Sequence, residues 1–125
     1  WIGTSGGFVY YTINGGETFV LQTLPGGTLT VIDDIVAATD EVIHVAARTS
    51  TPTGRLLSTW NGGAKWATSA ITTQRIQNLP TASRFNRIAV PQTGQATTDS
   101  NTIALGGLSG GGTDGILEFG IANRN

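Results

Sequence analysis

Carboxylates come together at only two places in this sequence, Asp33-Asp34 and Asp40-Glu41. Two carboxyl groups facing each other across a cleft can act as acid and base in glycoside hydrolysis. Adjacent residues of an extended chain point to opposite faces, so neither pair is a ready-made dyad, and both read as solvated turn residues at strand ends. The single histidine, His44, lies in the apolar run Val42-Ile43-His44-Val45-Ala46-Ala47. No cysteine, and no serine in a nucleophile motif, accompanies it, so it reads as a packed or hydrogen-bonded core residue rather than a base. Asn14-Gly15-Gly16-Glu17 resembles part of a calcium loop, but such loops need several spaced carboxylates. Glu17 is the only one here, and the related Asn61-Gly62-Gly63-Ala64 has none. The expectation is therefore no catalytic residue, no metal and no cofactor. Trp60, which alternates away from Thr59, is the one candidate for stacking on a sugar ring as a ligand contact; packing between sheets is its commoner use.

Composition narrows the classes further. With Lys+Arg 7 against Asp+Glu 8 and a formal net charge of −1, the chain lacks the clustered cations that neutralise nucleic-acid phosphates. No apolar run approaches the roughly 18 to 20 residues of a membrane-spanning helix. Eighteen glycines beside 38% hydrophobic residues fit a turn-rich all-β domain rather than a disordered tail. Zero cysteines remove disulfides and thiolate metal sites. A chain of 125 residues that starts at Trp1 and has no methionine is expected to be an excerpt or a processed product of something longer.

The elements that must position these residues are marked by a repeat. Gly7-Phe8-Val9-Tyr10-Tyr11-Thr12-Ile13-Asn14-Gly15-Gly16-Glu17-Thr18-Phe19 reads as strand, tight turn and returning strand, because Asn-Gly tolerates the positive φ that a hairpin turn demands. Gly54-Arg55-Leu56-Leu57-Ser58-Thr59-Trp60-Asn61-Gly62-Gly63-Ala64-Lys65-Trp66 repeats it in one register, since 54 − 7 and 61 − 14 both give 47. Asn and Thr side chains can cap such a turn from within, and the aromatic that closes each copy is expected to fold under it as a buried anchor. Ile35 to Ala38 and Val42 to Ala47 suit two buried strands, with Asp33-Asp34 interrupting the stretch that begins at Thr28. Residues 72–84 and 91–100 read as long polar connections. Thr102 to Gly107 resembles Ile43 to Ala47, and Gly115 to Phe119 sits where the first half of each hairpin sits. Approximate units are 1–23, 28–71 and 85–125.

Thr12-x-Asn14-x-Gly16-x-Thr18-Phe19 and Thr59-x-Asn61-x-Gly63-x-x-Trp66 resemble the Asp-box (BNR) repeat, with Lys65 where that pattern prefers Thr. The resemblance implies that the box is a structural turn between the third and fourth strands of a β-propeller blade. It also implies about two and a half four-stranded antiparallel blades: strands two to four of one, a complete one, and strands one to three of a third. Closed propellers have about 4 to 8 blades, so the expected ring is incomplete and its open strand edges await other subunits or the missing part of the same chain. Sialidases are among the Asp-box propellers, but their Arg-Ile-Pro segment is absent: Arg87-Ile88 runs on into Ala89-Val90-Pro91. A tyrosine nucleophile would have to be Tyr10 or Tyr11, whose expected place is the first hairpin's sheet.

The reading that follows is a non-catalytic structural or interaction module of a larger virion, phage tail, envelope or extracellular protein. The alternative is part of a sialidase-like glycoside hydrolase or a carbohydrate-binding module that meets a glycan.

Overall fold

A computed structural model describes residues 1–25, 27–50, 54–68, 84–90, 102–108 and 115–121. The described residues form ten strands and no helix. These are β1 (Ile2–Gly3), β2 (Val9–Tyr11), β3 (Val20–Leu21), β4 (Leu29–Ala37), β5 (Ile43–Thr49), β6 (Gly54–Thr59), β7 (Trp66–Thr68), β8 (Arg84–Ala89), β9 (Thr102–Leu108) and β10 (Gly115–Ile121). They pair antiparallel in three sheets, ordered β1-β2-β3, β4-β5-β6-β7 and β8-β9-β10. The expected all-β antiparallel class is thus observed. Of the connection expected at 72–84, Arg84 instead opens β8; the rest of it, the connection expected at 91–100 and the glycine-rich turn at 110–114 lie outside the described residues.

The stacking of the sheets follows from side-chain alternation. A strand buried on one face alternates apolar and polar, whereas one buried on both reads as a continuous apolar run. Ile43-His44-Val45-Ala46-Ala47 in β5 is of the second kind, and all five residues are buried. One face of the four-stranded sheet places Ile43, Val45, Ala47, Leu57 and Trp66 with Leu29 and Ile32 in a cluster that includes Val9 of the first sheet. The other face sends Ala46 and Leu56 to Phe85 and Ile88 of the third. Each fully buried aliphatic such as Val45 or Leu57 contributes about 2 kcal/mol of transfer free energy. The middle sheet is therefore covered on both faces.

Close approach between the first and second sheets depends on a glycine. A Cβ on Gly3 would collide with the Ile32 side chain. The neighbouring Thr4 carbonyl accepts the Ile32 amide at 3.0 Å, a backbone bond between sheets. Thr4 also turns the chain toward β2, its hydroxyl oxygen accepting the Gly6 and Phe8 amides at 3.3 and 3.1 Å.

Asp33-Asp34 does not interrupt the chain as the sequence suggests. β4 runs through both residues for nine positions, Leu29–Ala37. Its register against β5 slips between Leu29 and Val31 and again between Ile32 and Asp34. Each slip accommodates one extra residue as a bulge, and the second is Asp33. The polar pair is absorbed because each carboxylate finds its own partner.

Candidate functional site

The two box turns share four matching hydrogen bonds. In the first, the Thr12 hydroxyl donates to Asn14 Oδ1 at 2.8 Å and its oxygen accepts the Asn14 and Gly16 amides at 3.3 and 3.0 Å. In the second, Thr59 donates to Asn61 Oδ1 at 2.9 Å and accepts the Asn61 and Gly63 amides at 3.4 and 3.0 Å. Asn14 Oδ1 then accepts the Thr18 amide at 3.0 Å, and Asn61 Oδ1 the Lys65 amide at 2.9 Å. Because this last contact uses the backbone, Lys65 substitutes for Thr without loss of it. Thr18 adds one bond, its hydroxyl accepting Asn14 Nδ2 at 2.9 Å. Gly15, Gly16, Gly62 and Gly63 all have positive φ, between 65° and 97°, as the turn requires. The asparagine oxygens that would have to face a cation accept N–H and O–H donors instead.

The anchors differ between the copies. Trp66 is 8% exposed, donates its indole N–H to Gln22 Oε1 at 3.1 Å and meets Trp1 edge-on at 5.8 Å. Phe19, expected to be equally buried, is 46% exposed. Its ring reaches back beneath Gly16, but Trp1 and Gln22 of a preceding sheet are what bury Trp66, and no described residue does this for Phe19.

The acidic candidates diverge. Asp33 forms an ion pair with Arg48 Nε at 2.8 Å. Asp34 accepts the Ile35 amide at 3.0 Å through Oδ1 and the Ile88 amide of the third sheet at 2.8 Å through Oδ2. Neighbours in sequence, they serve different partners, so no facing dyad forms between them. Asp40 and Glu41 lie in the turn before β5, where Thr39 Oγ1 accepts the Glu41 and Val42 amides at 3.2 and 3.0 Å, and the Glu41 carbonyl receives the Gly62 amide at 3.0 Å. That last bond fastens the second box to its own sheet. Among the described residues no three His, Cys, Asp or Glu side chains cluster as metal ligands would.

His44 is buried, with Nδ1 2.8 Å from Ser58 Oγ. Its Nε2 is buried and has no hydrogen-bond partner among the described residues. Burial pushes its pKa down to about 4, so the ring is neutral at pH 7. Sequence reading missed the Ser58 contact, which needs the β5–β6 register of His44 opposite Ser58. The pair resembles a nucleophile and base in chemistry alone, since Ser58 has no exposure through which a substrate could reach it.

Trp60 meets His44 edge-on at 6.3 Å and packs against the Ala46, Leu56, Phe85 and Ile88 cluster. These contacts are those of inter-sheet packing. Tyr11 stacks on Trp1 at 5.1 Å, while Tyr10 sits opposite Ile2 and Leu21 in the first sheet. Comparison with family models, curated proteins and solved structures finds no match to this chain.

Proposed function

We propose that this chain is a non-catalytic structural and interaction module, about two and a half blades of a β-propeller-type assembly. The observation that carries the reading is the stacking of three antiparallel sheets face on face, the middle one covered on both sides. Blades around a propeller axis pack in this way, and the two box turns fall at the same step of their sheets, between β2 and β3 and between β6 and β7. The polar groups that could do chemistry are spent on structure: Asp33 on Arg48, Asp34 on two amides, His44 on Ser58. This favours a scaffold over a sialidase-like hydrolase or a glycan-binding module. Low charge and many glycines suit a β-structural protein of a virion or of the extracellular space.

A module of this kind associates through its uncovered sheet. Light scattering of the 125-residue chain over a range of concentrations is expected to show species larger than the monomer. A monomer at every concentration contradicts the proposal, as does hydrolysis of aryl glycosides that disappears on changing Asp33, Asp34 or Asp40.

A further inference from the structure

The two faces of the first sheet are unlike. Val9, Tyr11 and Trp1 turn toward the second sheet, Val9 fully buried in the shared core and Trp1 packed against it. Alternation and the pairing of Ile2 and Leu21 with Tyr10 put Ile2, Phe8, Tyr10, Phe19 and Leu21 on the other face. Ile2, Phe8, Phe19 and Leu21 are 46%, 51%, 46% and 51% exposed, four residues against the single Val20, 50% exposed, beside Tyr11 on the inner face. Exposed apolar residues gathered on one face mark a contact surface more often than scattered ones do.

The repeat shows what such a face meets. In the box register Tyr10 corresponds to Leu57 and Phe19 to Trp66; through the pairings Ile2–Tyr10 and Val45–Leu57, Ile2 corresponds to Val45. Val45, Leu57 and Trp66 belong to the core between the first and second sheets. The exposed face is thus the counterpart of one that a preceding sheet covers.

At one step of the hairpin the covering side pairs an aliphatic residue across strands with a small one. Val9 pairs with Gly3 and packs toward the second sheet. Leu56 pairs with Ala46 and packs toward the third. At the same step of the third sheet, Leu117 pairs with Gly106. One chain therefore has the receiving face at its first sheet and the covering register at its third.

We infer that the first sheet's Ile2, Phe8, Tyr10, Phe19 and Leu21 face is the docking surface for the third sheet of a second copy of this chain. This deepens the assembly reading and rests on it. Two copies related by a two-fold axis make this contact twice, head to tail. Three sheets from each of two copies give six, within the range of about 4 to 8 blades over which propellers close.

The absence of cysteine makes the contact directly testable. Ala104 lies two residues before Gly106, as Trp1 lies two before Gly3, and Leu21 lies two after Phe19. Leu21→Cys and Ala104→Cys chains, mixed and treated with a short bismaleimide, are expected to cross-link to each other, while neither cross-links to itself. Sedimentation should show a dimer whose dissociation constant rises by about tenfold or more in Leu21→Arg and, independently, in Tyr10→Arg, whose counterpart Leu57 is fully buried, the size of effect seen for contacts at the centre of an interface. Circular dichroism melting identifies which of the two remains folded. Leu21→Cys cross-linking to itself, or a dimer untouched by a folded arginine variant, overturns this interface and leaves the assembly reading standing. A monomer at all concentrations overturns both.

Discussion

The Asp34 carboxylate on β4 accepts the backbone N–H of Ile88 on β8 at 2.8 Å, across 54 residues of sequence. The same side chain accepts the Ile35 amide through its other oxygen. One carboxylate thereby satisfies an amide of its own strand and one of the next sheet, beside the Phe85 and Ile88 cluster. Asp34→Ala leaves the Ile88 amide without this acceptor and is expected to cost about 1.5 to 3 kcal/mol, the range for a hydrogen bond to a charged group. Denaturant unfolding measures the loss, and hydrogen exchange at Ile88 should accelerate more than at Val45.

The single histidine gives stability a defined pH dependence. His44 has a folded pKa of about 4 against 6.5 when unfolded, so the unfolded chain binds more protons between these values and stability falls as pH falls through them. The contribution is complete above pH 6.5, declines on acidification and levels off near pH 4, with a total of about 3 kcal/mol. Unfolding midpoints measured from pH 7 to pH 4 should show this slope, and His44→Gln should flatten it. An unchanged slope in that variant would assign it to the carboxylates.

Asn61 acts in its turn through an oxygen, accepting from Thr59 and Lys65. Asn61→Asp keeps both acceptor contacts and adds a negative charge near Lys65, so thermal stability should be kept or slightly raised. Asn61→Ala loses them and is expected to cost about 1 to 3 kcal/mol. The contrast between the two variants in thermal melting separates an acceptor role from one that depends on the side-chain amide.

The unequal burial of the anchors predicts unequal costs. Trp66→Ala removes a core side chain and the indole bond to Gln22, and about 3 to 5 kcal/mol is expected. Phe19→Ala removes a half-exposed ring and should cost clearly less in the monomer at low protein concentration. Parallel denaturant titrations of the two variants test the order.

What could be read in the sequence was local. Asn-Gly between apolar runs fixes its own turn, so the hairpins and the Thr and Asn caps were legible from residues four or fewer apart, and the repeat from a second copy of that same local pattern. Contacts between sheets were not. Trp66 with Gln22 spans 44 residues and Asp34 with Ile88 spans 54, and no periodicity encodes which strand lies above which. The same gap explains Phe19: its residue type predicted a buried anchor, but burial is decided by the sheet next door. Asp33-Asp34 read as a strand break because charge in an apolar run ordinarily ends it. A bulge with Arg48 in reach, and an amide from another sheet, turned both residues into parts of a continuous strand.

The two slips in β4 also bear on how the chain avoids misassembly. β4 stands at one end of the four-stranded order, where a stray strand could template on it and begin a cross-β fibre. Extra residues at two points along its length throw its amides and carbonyls out of step with any straight newcomer, and the Asp33 carboxylate places a charge at one of them. Growth by endless strand addition is discouraged at this border, while contact between sheet faces stays open.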